Sequence, residues 1–303
     1  MFIEDALKEY DFHCVAKGYT NKTMINKRQE YKQVLLFLKT KRGIDQLESV
    51  HTDDLRAYIR YKQQRGLTPQ SIQSMAKMII AFFNWCVNEE YLKESPMKKV
   101  ELPKVSKKVL EGFNEHEVYK MINAFDYSSY HEVRNKAIIA MLADCGLRAM
   151  EIRTLPFKNV METTILVHGK GNKERTAFIS PALKKILIKY ERMRKEYVEN
   201  KLLKEDMYFL SYHLQGLSHL SLDNIVKEAG KRAGVNKKRI SPHMFRHYFA
   251  LTTLLNGCDI YSLSRLLGHA NIQTTQTYLQ SLTDEKLGEQ AKINSPLMNM
   301  NKK

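Results

Sequence analysis

Residues 241–280, SPHMFRHYFALTTLLNGCDIYSLSRLLGHANIQTTQTYLQ, decide how the chain is read. Ser241 followed by Pro242 has the signature of an N-cap with proline at the first helical position. A long apolar helix follows and stops near Gly257, Gly268 ends a second, and Asn271 opens a short third one bearing Tyr278. His243, Arg246 and His247 stand at i, i+3 and i+4 and share one helical face directly behind the cap. Two histidines four residues apart suggest a zinc protease, but Met244 occupies the place where H-E-x-x-H needs glutamate. A surface stripe of His and Arg fits this pentapeptide equally well. His269 falls at the junction between a helix end and a new start. Tyr278 means little by itself in a chain with 16 tyrosines, where a half-buried packing role is the default.

Toward the N-terminus, CGLRAMEIRTL (145–155) places Gly146 at the end of a helix rich in Ala, Ile and Met, over Asn135 to Asp144. Arg148 opens the next helix, where a cation opposes the dipole. So unfavourable a placement points to an anionic ligand, with Glu151 as the partner that holds the guanidinium; a surface Arg–Glu pair is the alternative. The run TTILVHGKGNKERTAFIS (163–180) has β-rich stretches at Thr163–His168 and Arg175–Ser180 around a glycine-containing turn, and predicts a hairpin with Lys170 and Lys173 at its tip. It lacks G-x-x-x-x-G-K-[ST] and lies between strands, which speaks against a nucleotide loop. Asn114 and Glu117 have the spacing of a capping box.

The first third is helical throughout. Thr20 is placed to cap a helix that stops near Gly43. Thr52 is expected to cap TDDLRAYIRYKQQRG, and Thr68-Pro69 opens a helix carrying Ile72, Met75, Ile79 and the cluster Phe82, Phe83 and Trp85. KESPMKKVELPKVSKK (93–108) has two prolines, many lysines and no amphipathic period, and reads as an extended basic tether. The expected architecture is mainly α with a small β-sheet. A helical domain over 1–92 and a linker over 93–110 precede a mixed α+β domain over 111–303.

Lys and Arg number 49 against 33 Asp and Glu, a formal net charge of +16, with pI near 9.5. Such an excess points to an extended polyanion, because many phosphates together compensate clustered like charge. No stretch approaches the 18 or so apolar residues of a membrane span, and MFIEDALKEYDF has acidic Glu4, Asp5 and Glu9 where a signal peptide is basic and then apolar. Cys14, Cys86, Cys145 and Cys258 lie far apart and form no C-x-x-C. They read as buried thiols of a reducing compartment, with no zinc site, and the expected location is cytoplasmic and nucleoid-associated.

Taken in order, GLR-x-x-E, GKGNKER on a hairpin, H-x-x-R-H, LGH and then Tyr resemble the tyrosine recombinase (phage integrase) family, over almost the whole chain. The first domain is similar to that family's helical core-binding domain, and the chain is Xer-like in size. The resemblance implies a site-specific DNA recombinase that cleaves and rejoins duplex DNA through a 3′-phosphotyrosyl intermediate, with no metal, ATP or other cofactor. Arg148 and Arg246 would grip the non-bridging oxygens, Tyr278 would attack, and His243 would take its proton. His269 would donate to the same phosphate, and Lys170, in preference to Lys173, would protonate the departing 5′-oxygen. Glu151 would orient Arg148, and His247 would pack.

Lys22, Lys27, Arg28 and Lys77, with Lys173, are candidate DNA contacts; solvated helix faces explain the first four equally well. The resemblance further implies a C-shaped clamp on an inverted-repeat core site and a homotetramer on two sites. A C-terminal tail bearing Leu279, Leu282 and Leu287 would dock on a neighbour or fold back in cis. An accessory DNA-bending or directionality protein is a further expected partner, and no membrane is involved. A type IB topoisomerase and a non-catalytic DNA-binding relative are the competing readings.

Overall fold

The structure, a computed structural model, describes residues 1–106, 112–169, 174–282, 284–293 and 295–300. The chain divides into two compact units, Met1–Lys108 and Val109–Lys303.

Four α-helices build the first unit: α1 (Ile3–Ala16), α2 (Asn21–Phe37), α3 (Thr52–Gln64) and α4 (Pro69–Asn88). The Thr20 and Thr68 hydroxyls accept from the amides of Thr23 and Ser71, the bonds expected of side-chain caps. After α2 a wider helical turn, Leu38–Arg42, runs into Gly43 at φ 67°. The third cap differs from expectation. His51, not Thr52, is the N-cap, and its amide donates to the Asp54 carboxylate at 2.9 Å. A carboxylate at the third helical position reaches back to the amide three residues earlier, which sets the boundary one residue upstream.

The candidate DNA contacts of this unit separate. Lys27 is only 8% exposed, and its ammonium donates to the hydroxyls of Tyr10 and Tyr31, each at 3.1 Å. It is a strut between α1 and α2 and not a surface charge. Arg28 makes a two-pronged pair with Asp11, both bonds 2.7 Å. Lys22 and Lys77 are exposed.

The start of the lysine-rich segment is not extended. Residues 96–99 form a turn, Met97 is 4% exposed within the first core, and Val100 and Leu102 pack against it. Arg56 and Gln73 donate to the carbonyls of Lys99 and Pro103. Three apolar side chains spaced among the lysines suffice to dock the segment.

The second unit contains α5 (Glu115–Asn123), α6 (Tyr130–Cys145), α7 (Ala149–Arg153), a hairpin of β1 (Thr164–His168) and β2 (Glu174–Phe178), α8 (Pro181–Val198), α9 (His219–Arg232), α10 (Pro242–Leu255), α11 (Ile260–Leu267), α12 (Ile272–Leu279), α13 (Asp284–Ile293) and α14 (Pro296–Asn299). Asn114 and Glu117 exchange their capping-box bonds, both 2.8 Å. Helix α6 is buried along most of its length, as a central helix must be. Ile138, Ile139, Met141 and Leu142 are wholly buried, each stabilising the fold by about 1.5–3 kcal/mol. It packs against α5, α8 and α10 and so fixes where its own C-terminus and the first turn of α10 meet. The strands pair antiparallel from Thr164 with Phe178 to His168 with Glu174. Ile165 and Val167 point into the core. Lys170 and Lys173 lie outside the described residues.

Candidate active site

Two helix ends hold the two arginines of the motifs. Helix α6 stops at Gly146 (φ 57°), where a Cβ would come within 2.4 Å of the Phe249 ring. Helix α11 stops at Gly268 (φ 64°), where a Cβ would meet the Arg175 side chain at 2.4 Å. Only glycine satisfies both the left-handed turn and the close approach. The carbonyls freed at these ends face the guanidiniums. Arg246 Nη1 donates to Gly146 O and Nη2 to Leu267 O, both at 2.6 Å, and Arg148 Nη2 donates to Gly268 O at 3.1 Å. Helix C-termini carry partial negative charge and suit cations. A carbonyl orients a guanidinium without cancelling its charge, so positive potential remains for an anion.

Glu151 is the carboxylate that joins this group, 5% exposed. It accepts from Arg148 through both the backbone amide and Nη1, each at 2.7 Å. Arg175 Nη2 donates to it at 2.9 Å. Burial alone would raise its pKa, but Arg175 and Arg148 outweigh burial and hold it below the ordinary carboxylate value. Two guanidiniums bond this carboxylate and Arg246 interacts with it through space, so three positive charges share one negative charge. Burial and then neighbouring Arg148 lower Arg246 to about 10, so it stays charged at neutral pH.

Arg175 was not singled out by the sequence reading. Its guanidinium, on β2, also donates to Leu266 O at 2.6 Å and so ties the hairpin to α11. The signal was a long cation two positions beyond Lys173, within the same GKGNKER run.

Tyr278 lies half-buried on α12, at the edge of a small cluster formed by Ala250, Leu263 and Leu267. Its ring meets that of His247 edge-on, centroids 5.4 Å apart, and lies near-parallel to that of His269 at 6.1 Å. His269 is held at both nitrogens, Nε2 at 3.0 Å from Arg246 Nη2 and Nδ1 at 2.8 Å from Thr275 Oγ1. His247, 6% exposed, shares a hydrogen bond of 3.0 Å between Nε2 and Ser281 Oγ, just past α12.

His243 is exposed on the first turn of α10. Desolvation of its ring, then Arg239, Arg246 and Arg148, hold it below the ordinary imidazole value, which keeps it neutral and able to accept a proton. Among the described ring contacts, the histidines touching Tyr278 are His247 and His269. Ser241 caps α10 by position only; its hydroxyl is buried and makes no hydrogen bond. Among the described residues, no group of three or more His, Cys, Asp or Glu could hold a metal ion. No helix there is long and apolar enough to cross a membrane.

The histidines predict an acid limit to stability. His269 is pushed down to about 4, by burial first and then by Arg246, Arg148 and Arg175, and burial lowers His247 as well. In the unfolded chain these groups take up protons near 6.5. The unfolded state therefore binds more protons below that pH, and stability falls as the pH drops from 6.5 through about 4. The melting temperature should decline through this window, and the His269→Gln variant should decline less steeply. An identical acid slope in both proteins would refute the assignment.

Residues 111–285 match the family model of the phage integrase family. The chain is 31% identical to tyrosine recombinase XerC of Bacillus pumilus over 268 residues, 87% of each protein. It is 28% identical to tyrosine recombinase XerD of Listeria innocua, over 88% of this chain and 90% of that one. The chain belongs to the phage integrase family, the tyrosine recombinases. Among solved structures, a lambda integrase dimer bound to a COC′ core site superposes with a TM-score of 0.74 at 18% identity, covering 94% of this chain and 97% of that one. The XerH site-specific recombinase bound to a palindromic difH substrate, in a post-cleavage complex, gives 0.69 at 22% identity, covering 88% and 79%. Both share the fold of this chain.

Proposed function

We propose that the protein is a site-specific recombinase that cuts and rejoins duplex DNA through a 3′-phosphotyrosyl link at Tyr278. The observation that carries this is the pair Arg148 and Arg246, oriented by helix-end carbonyls, with Tyr278 of the same chain stacked on the His269 that Arg246 touches. Planar, permanently charged forks suit the non-bridging oxygens of a phosphodiester. Stabilising those oxygens is most of what catalysis of phosphoryl transfer requires.

In the forward step Tyr278 Oη bonds to phosphorus while the bond to the 5′-oxygen breaks. A tyrosine ordinarily ionises near 10, so the phenolic proton needs an acceptor, and neutral His243 is the proposed base. The 5′-oxygen leaves as a hydroxyl after taking a proton, for which Lys170 is the proposed donor. Attack by a 5′-hydroxyl on the phosphotyrosyl bond reseals the strand. The covalent link conserves the bond energy, so the reaction is proposed to need neither ATP nor a metal.

Lys22 and Lys77 are the proposed phosphate contacts of the first unit, with Arg28 a weaker one because Asp11 shares its charge. The proposed substrate is a core site with inverted repeats, acted on in the cytoplasm by four protomers on two sites. Leu279 and Leu287, which stay exposed, would dock the C-terminal segment on a neighbour. An accessory DNA-bending or directionality protein would select the outcome among integration, excision and resolution.

The test is covalent capture on a library of duplexes nicked beside randomised sequence, where loss of the short product traps the protein on DNA. Denaturant-resistant complexes enriched for one sequence are expected. Salt-sensitive binding with no covalent product would overturn the proposal.

A further inference from the structure

We infer that Thr275 is a positioning residue for the reaction, whose hydroxyl holds His269 at Nδ1 in either tautomer and seats the helix that carries Tyr278. The inference rests on the recombinase reading above only for its effect on rate. A guanidinium has donors and no acceptor, so the 3.0 Å contact between Arg246 Nη2 and His269 Nε2 makes Nε2 the acceptor. Its hydrogen then sits on Nδ1, which donates to Thr275 Oγ1 at 2.8 Å. In the free protein, therefore, His269 presents no hydrogen to a phosphate from Nε2.

A hydroxyl resolves this, because it both accepts and donates. When a phosphoryl oxygen takes over the Arg246 Nη2 hydrogen, the Thr275 hydroxyl can rotate and donate to Nδ1. Nδ1 gives its proton up to solvent and Nε2 takes one from solvent, with no change in net charge, and Nε2–H then points at the phosphate. Nε2 thus accepts from Arg246 before binding and donates to the phosphate afterwards, while Nδ1 faces Thr275 throughout.

Burial supports the same assignment. Thr275 is 0% exposed and is the one buried residue of the eight in α12. It precedes Tyr278 by three positions, one turn along the same helix. A helix with a single buried side chain is seated chiefly by that side chain. Its bond to His269 therefore links the placement of the nucleophile to Arg246.

The experiment pairs Thr275→Val, which keeps the shape and removes the hydroxyl, with Thr275→Ser, which keeps the hydroxyl. Nitrogen-15 NMR of histidine-labelled free protein should show His269 as the single Nδ1–H tautomer in the wild type and in T275S. In T275V, where Arg246 still donates to Nε2, the same tautomer is expected with its Nδ1–H signal shifted and exchanging faster for want of an acceptor. On the captured duplex, T275V should form covalent product about 10- to 100-fold more slowly, as loss of an outer hydrogen-bond partner commonly does. T275S should stay within about threefold of wild type on the same scale. An Nε2–H tautomer in the free wild type, or a T275V rate equal to wild type, would overturn the inference. A wild type that yields no covalent product sinks the recombinase reading instead, and an Nδ1–H signal shifted in T275V but not in T275S still decides whether Thr275 orients His269.

Discussion

Tyr278→Phe is expected to lose covalent capture completely while binding duplex DNA within about twofold of wild type, since phosphate contacts dominate affinity. The substitution removes one oxygen and keeps the ring. The edge-on contact with His247 and the near-parallel contact with His269 survive in phenylalanine, as does the packing against Ala250, Leu263 and Leu267. Melting temperature should therefore barely move. What disappears is the atom proposed to bond to phosphorus, so no residual rate is expected from the rest of the site. Capture by the variant, or loss of DNA binding along with capture, would show that the nucleophile lies elsewhere or that the hydroxyl's role is structural.

Arg246→Lys should be nearly as damaging, by a different route. Lysine keeps the charge but not the planar fork. The guanidinium reaches Gly146 O, Leu267 O and His269 Nε2 at once, and a single ammonium cannot span three partners set by two separate helix ends. A buried carbonyl left without a donor costs about 1–3 kcal/mol, so the melting temperature should fall. Loss of an oriented donor to the phosphoryl oxygens should lower the cleavage rate by about 10²- to 10³-fold. Arg148→Lys supplies the contrast. Its side chain is 34% exposed, so a comparable loss of rate should come with a smaller loss of stability. Equal destabilisation by the two variants, or an Arg246→Lys protein that cleaves normally, would remove Arg246 from the site.

Much of the architecture was legible because it is locally determined. Thr20, Thr68 and the Asn114–Glu117 pair cap their own helices, Gly146 and Gly268 stop theirs, and alternation in Ile165 and Val167 marks the hairpin. Each of these acts over a few residues, where spacing alone constrains geometry. The exceptions show where that limit lies. Thr52 lost the cap to His51 because Asp54 chooses the amide it can reach. Lys27 looked like a surface charge because composition does not reveal that Tyr10 and Tyr31 close over it from two helices. The lysine-rich segment looked like a tether because Met97, Val100 and Leu102 are few, although they find a core.

The site divides in the same way. The proposed set Arg148, Glu151, His243, Arg246, His269 and Tyr278 follows from the ordered motifs, since each motif places a chemically distinctive residue beside a helix boundary. Their partners do not follow. Arg175 lies 24 residues from Glu151, and Gly146 O lies 100 residues from the Arg246 it orients. The bond between Thr275 and His269 spans only six residues, yet it crosses a helix boundary that spacing cannot turn into a direction. The sequence by itself determined the helical class and the family and nominated the proposed reacting groups, because those reside in residue type and local period. Only the tertiary structure decided which carbonyls hold the arginines, which nitrogen of His269 faces Arg246 and which histidines touch Tyr278. Those depend on where helix ends meet after α6 has been buried, and that is a property of packing.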